Sequence, residues 1–121
     1  VVANYYENIA KSLLNSAKSK IKDKYSVQVI EVPGAFEIPV TISKNLNKFN
    51  GFIALGCVIK GKTPHFDFIS KATTDALMYL SITSKKPVGN GLITCLSKKQ
   101  AIERGKKGSE AAEAVLSILS Q

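Results

Sequence analysis

The spacing of apolar residues changes several times along this chain. Ile9, Leu13, Ala17 and Ile21 recur every four residues, which predicts a helix with one buried stripe. Asn4, with Glu7 three positions on, fits a capping box at its start. "SVQVIEV" (26–32) is rich in β-branched residues and reads as a strand that Pro33-Gly34 ends. A second helix is expected over about Glu37–Phe49, with Ile38, Ile42, Leu46 and Phe49 inside. Pro39 is acceptable there because it falls in the first turn. "GFIALGCVI" (51–59) is almost entirely apolar and does not alternate, so both of its faces should be buried, as in a central parallel strand. A third helix is expected over about Asp67–Ser84, with Ile69, Ala72, Ala76 and Leu80 as its stripe. "PVGNGLITCL" (87–96) is the last strand, and its glycines let another group approach the backbone. Ser97 with Gln100 fits a second capping box, opening a short helix to Arg104. After Gly105–Gly108, Ser109 is expected to cap a final helix with Ala112, Val115, Leu116 and Leu119 inside.

If Val1–Ala3 end a truncated first strand, the order is β-α-β-α-β-α-β-α-α. Alternating strands and helices predict a three-layer α/β/α fold with a four-stranded parallel sheet, one domain over 1–121. Further residues are expected before Val1. Ligands in such sheets bind at the carboxyl ends of the strands. That rule gathers Tyr5-Tyr6, Pro33–Glu37 and Lys60–Asp67, whereas Arg104 does not obviously reach the same edge of one molecule.

The composition, 45% hydrophobic and 21% charged, suits a soluble core. No apolar run approaches the roughly 18 residues of a membrane span, and no signal peptide is visible. The two cysteines, Cys57 and Cys95, lie in apolar runs. They read as core residues in a reducing, cytoplasmic setting and lack the paired spacing of a zinc site. The net charge of +8 admits nucleic acid, anionic membrane or small anions as partners. The basic residues are scattered singly or in pairs, however, and no nucleic-acid motif appears. Arg104 is the only arginine among seventeen basic residues. Lysine cannot copy its planar grip on a phosphate or carboxylate.

Several residues have both a chemical and a structural reading. Lys60–Thr63 is not a P-loop. Even so, Gly61 permits a tight backbone, Thr63 offers a hydroxyl, and N–H groups at a helix start can hold an anion; a solvated loop is the alternative. His65, the single histidine, can carry protons near neutral pH or simply face solvent. A metal site would need more ligands than the sequence offers, and no nucleophilic triad is suggested. Glu37 is either a carboxylate favoured by a helix dipole or an acceptor for substrate hydroxyls. Tyr5 and Tyr6 either pack or offer a surface to a flat ring.

Taken in order, "VPGAFEIP" (32–39), "ALGCVIKGKTPHFDF" (54–68) and "QAIERG" (100–105) closely resemble the lumazine synthase family over essentially the whole chain. The resemblance implies a flavodoxin-like domain. It implies condensation of 5-amino-6-(ribitylamino)uracil with 3,4-dihydroxy-2-butanone 4-phosphate to 6,7-dimethyl-8-ribityllumazine, phosphate and water, without metal or organic cofactor. It also implies a pentamer or a multiple of pentamers, up to a sixty-subunit shell, with active sites between subunits. Membrane and nucleic acid are not implied as partners.

Carried over by position, Tyr5 matches the aromatic that stacks on the pyrimidine. Ala35, Phe36 and Glu37 match the segment holding the ribityl chain, and Cys57, Val58 and Ile59 the strand end that meets the heterocycle. Gly61, Lys62 and Thr63 match the phosphate loop, and His65 the proton-transfer histidine. Arg104 matches a phosphate-contacting arginine from the adjacent subunit, with Lys107 near it. The chain departs from the family at Asn90, where phenylalanine is frequent, at Lys60 for arginine, and at Lys62, an added charge. It is also short before Pro33 and between Arg104 and Gly108. Asn90 and the short loop are the only support for a rival reading, a non-catalytic lumazine-binding or shell-forming homologue.

Overall fold

The computed structural model describes residues 1–21 and 23–121. Four strands, β1 (Val2–Ala3), β2 (Glu31–Val32), β3 (Phe52–Ile59) and β4 (Val88–Cys95), form one parallel sheet in the order β2-β1-β3-β4. The helices are α1 (Glu7–Lys20), α2 (Ile38–Lys44), α3 (His65–Ser84), α4 (Lys98–Glu103) and α5 (Lys107–Leu119). Alternate side chains of β3 enter two cores. Leu55 packs with Ile9, Leu13, Ile93, Ala101 and Ala112 under α1, α4 and α5, and Ile53, Cys57 and Ile59 join them from the same face. Phe52, Ala54 and Val58 pack with Ile38, Ile42, Leu77 and Leu92 under α2 and α3. The expected three-layer fold with a short first strand is therefore present.

Individual elements differ from their sequence expectation for local reasons. The Asn4 capping box does not form. Asn4 still belongs to the sheet edge, its N–H donating to Val32 O at 3.0 Å, so α1 starts at Glu7 with Tyr6 as its cap. The strand expected over 26–32 shrinks to Glu31–Val32, because the two-residue β1 reaches no farther back than Ile30 O, which accepts from Val2 N at 2.8 Å. Part of the short link before it, at Lys22, lies outside the described residues. α2 stops at Lys44, and Asn45 Nδ2 turns back to Thr41 O at 2.7 Å. Leu46 and Phe49 still reach the core from the turns that follow.

α3 begins two residues early, so His65 is its first residue rather than a loop residue. Its inner stripe runs through Phe66, Ile69, Thr73, Leu77 and Leu80, while Ala72 is exposed. Small alanines gave a misleading phase, and Thr73 occupies the buried position. α5 starts at Lys107, which makes Ser109 its third residue instead of its cap. Ser97 does cap α4, its Oγ accepting from Gln100 N at 3.3 Å, while Gln100 Oε1 accepts from Leu96 N at 2.8 Å, one residue short of closing the box on Ser97 N.

The glycines of β4 do admit a close neighbour. A Cβ on Gly89 would stand 2.4 Å from the Ala111 carbonyl oxygen, so α5 lies directly on the strand. Replacing Gly89 by alanine should push α5 outward and lower unfolding stability by about 2–3 kcal/mol. Denaturant titration checks this; an unchanged midpoint would mean that α5 does not rest on that backbone.

Candidate functional site

Because all four strands are parallel, their carboxyl ends share one edge. β1 ends at Ala3 opposite the middle of β3, where Val2 pairs with Leu55. β3 continues to Ile59, so its last residues have no strand beside them on the β1 side. Cys57, Val58 and Ile59 therefore present main chain at an open notch. In a parallel strand, alternate residues turn their N–H and C=O to opposite sides.

Two aromatic side chains flank this edge. Tyr5 is 75% exposed and meets Tyr6 edge-on, with ring centroids 4.9 Å apart. Tyr6 turns into the α1-side core, where burial, then Tyr5 and Cys57, push its phenol up. Tyr6 therefore packs, while one face of Tyr5 is left open. From the β2 side, a 3-10 turn (Ala35–Glu37) buries Ala35 and leaves Phe36 61% exposed. Glu37 is half-buried, with Oε1 close enough to Gly34 that a Cβ there would lie 3.2 Å away. Its backbone oxygen is occupied by Thr41 Oγ1 at 2.8 Å, while its carboxylate forms no ion pair among the described residues.

The loop after β3 holds the remaining candidates. Lys60 N–H donates to Cys95 O at 2.9 Å, tying this loop to the end of β4. Gly61, Lys62, Thr63 and His65 are exposed, and Thr63 Oγ1 accepts from His65 N at 3.4 Å. His65 thus stands at the first helical position of α3, beside N–H groups that favour an anion. Gly61 does not bear out the tight-backbone expectation. Its φ is not positive and a Cβ would meet nothing within 4 Å, so nothing inside this chain demands glycine there.

Asn90 lies well before this edge, whereas Arg104 reaches the end of β4 from its outer side. Asn90 pairs with Ala54, five residues before β4 ends at Cys95. β4 is the outer strand, and its even-numbered residues turn their backbone away from β3. Along that open flank, Asn90 Oδ1 accepts from Leu92 N at 3.0 Å, and Arg104 Nη1 donates to Thr94 O at 3.2 Å. Lys107 opens α5 and lies 3.8 Å from Glu110. Asn90 and Arg104 therefore line the outer flank of β4, two strands away from the open notch on the β1 side of β3.

A cavity of about 360 Å³ lies at the opposite, amino edge among Val1, Phe49, Phe52 and Leu119, and no candidate residue lines it. Among the described residues, no three histidine, cysteine, aspartate or glutamate side chains gather as a metal site would need.

The profile of the 6,7-dimethyl-8-ribityllumazine synthase family matches residues 1–121. The chain belongs to that family. A 6,7-dimethyl-8-ribityllumazine synthase from Bartonella tribocorum is 40% identical over 129 positions, spanning 99% of this chain and 85% of its own. The same-named protein from Methylocella silvestris is 38% identical, spanning 98% of this chain and 80% of its own. That from Kocuria rhizophila is 37% identical, spanning 97% and 81%. The first of these alignments is longer than this 121-residue chain, so the relative carries extra residues inside the matched span.

Sequence reasoning missed three participants in these arrangements. Thr94 enters through its carbonyl, for which no side-chain signal exists. Gly34 makes room for the Glu37 carboxylate. The third is the contact between the two cysteines. Cys95 is buried, whereas Cys57 is only half-buried, and burial, then Cys95, push the Cys57 thiol up to about 12.

Such a thiol is almost wholly protonated at neutral pH. Iodoacetamide at pH 8 should therefore alkylate Cys57 at least about a hundredfold more slowly than a free cysteine. The sign for stability follows: a folded pKa above the unfolded value means that stability is lost as pH rises beyond about 8.5. Mass spectrometry of the alkylated protein checks the first point; rapid labelling in the folded state would overturn it.

Proposed function

We infer that this protein is a transferase that condenses 5-amino-6-(D-ribitylamino)uracil with 3,4-dihydroxy-2-butanone 4-phosphate. The products are 6,7-dimethyl-8-ribityllumazine, phosphate and water, and the reaction is the penultimate step of riboflavin biosynthesis. The family match across the whole chain carries this reading. The grouping of Tyr5, Phe36, Glu37, the β3 end and His65 at one sheet edge supports it.

Each residue has a task matched to its chemistry. Tyr5 offers its free face to the pyrimidine, and the open main chain at Cys57–Ile59 meets the heterocycle's edge. Glu37, with Ala35 and Phe36 beside it, accepts hydrogen bonds from the ribityl hydroxyls. Gly61–Thr63 hold the phosphate through N–H groups and the Thr63 hydroxyl, with Lys62 adding charge. The amine attacks the ketone and loses a proton, the carbinolamine loses water, phosphate leaves, and ring closure expels a second water. His65 moves these protons. The rest is positioning of two substrates, and no step needs a metal or an organic cofactor. The same reading makes residues 1–121 one catalytic domain working in the cytoplasm.

Arg104 and Asn90 complete the site from a second copy. Their place on the outer flank of β4, turned away from β3, supports this, and so does an apolar surface on α3. Phe68, Met78, Tyr79 and Ile82 there are 61–68% exposed, an area that an adjoining subunit would cover. The assembly is a pentamer or a multiple of pentamers. Neither nucleic acid nor a membrane is a partner; no helix among the described residues is long and apolar enough to cross one.

Mixing both substrates with the protein should give a new fluorescent product and stoichiometric phosphate. Arg104→Ala should lower turnover about a hundredfold or more, and His65→Ala about a hundredfold without changing the melting temperature. Light scattering should give five times the chain mass, or a multiple. An active monomer would rule out the shared site, and substrate binding without turnover would favour a non-catalytic homologue.

A further inference from the structure

Arg104 lies between two anchors. On its amino side, Ala101 is 1% exposed in the core and accepts the Arg104 N–H at 3.2 Å. On its carboxyl side, Lys107 N–H donates to Arg104 O at 3.0 Å and Gly108 N–H to Gly105 O at 3.3 Å. Successive backbone bonds therefore tie Arg104 into the first turn of α5. Any displacement of that turn reaches the arginine.

That turn rests on the main chain of α1. A Cβ on Gly108 would stand 2.1 Å from Leu13 O, 2.9 Å from the Leu13 carbonyl carbon and 3.1 Å from Ala17 N. These are backbone atoms within a helix and cannot step aside. Beside this contact, Ser109 N–H donates to Ser16 Oγ at 2.9 Å. Farther along the seam, Lys20 pairs with Glu113 at 2.8 Å.

We propose that α1 sets the aim of Arg104: Gly108 and Ser16 fix where α5 begins, and the turn they hold directs the guanidinium along the open flank of β4. The proposal rests on the reading that Arg104 contacts the substrate phosphate. Gly108 is buried and Ser16 half-buried in the α1–α5 seam, so both act through the arginine as positioning residues. A side chain at 108 must push the turn back by more than about 1 Å to reach ordinary contact, and a misplacement of about 1 Å can already cost about a hundredfold in rate.

The test is a set of kinetic cycles on the assembled protein, varying each substrate separately. Gly108→Ala should raise KM for the four-carbon phosphate about tenfold or more, with KM for the uracil within about twofold. Ser16→Ala should raise the same KM about threefold, and Ser16→Thr, which keeps the hydroxyl, should restore it. On an Arg104→Ala background neither change should add a loss, because the residue they position is already gone. Multiplicative losses on that background, equal rises in both KM values, or no change in either variant would overturn the proposal. Full activity in Arg104→Ala alone would instead overturn the phosphate reading beneath it. Should Gly108→Ala fail to fold, Ser16→Ala and Ser16→Thr carry the comparison.

Discussion

The pairing of β3 with β4 is the constraint on which the remaining structure depends. It runs for eight residues, from Phe52 opposite Val88 to Ile59 opposite Cys95. β1 and β2 contribute two residues each. β3 is also the strand whose side chains supply both cores, Leu55 on one face and Phe52, Ala54 and Val58 on the other. Removing apolar area from water on two faces holds it more firmly than a strand with one wet face. Elements that touch this pair inherit its rigidity. α5 does so through Gly89 and Gly91, which lack the side chains that would hold it off.

Two properties of the site follow from that asymmetry. β3 outruns β1, so its last residues reach the carboxyl edge with one flank open. β4 is the outer strand, so its other flank is open along its full length. A protein must manage an exposed edge of this kind or risk unwanted pairing. Here Asn90 and Arg104 cover Leu92 N and Thr94 O with their own side chains. The same two residues are those assigned to a neighbouring copy's site. In the proposed assembly, protection of an edge and delivery of functional groups to a partner would use one surface.

The sequence revealed most where periodicity was strong and side chains carried the signal. The apolar run 51–59 became the two-faced central strand. The four-residue spacing of Ile9, Leu13 and Ala17 became a buried helix face. The motifs around Pro33, His65 and Arg104 sufficed to name the family. Failures came where the backbone or a partner element decided. Asn4 had the right side chain for a cap, but its N–H was already committed to Val32 O. Residues 26–29 had strand composition, but the strand beside them was too short to pair with them. The alanines of α3 carried no phase, because alanine is accepted on either face of a helix. Gly108 looked like a loop residue. Its significance lies in a distance to Leu13 O that no local pattern encodes.

The solitary arginine can now be explained by geometry. A guanidinium has five N–H donors in one plane, and here one of them is bound to the Thr94 carbonyl. Four remain, and they stay coplanar with the anchored one, so the free edge of the plane is left for a second partner. An ammonium group has three donors on a flexible stem and no plane, so binding one carbonyl would not orient the others. Sixteen lysines suffice for solubility and for the general positive field around the edge, because those effects depend on charge and hardly on direction. The bidentate grip proposed for Arg104, on a phosphate across a subunit boundary, would depend on direction. The buried glycine against α1, the carbonyl of an unpaired strand and the planar side chain between them are the parts that the proposal assigns to that requirement.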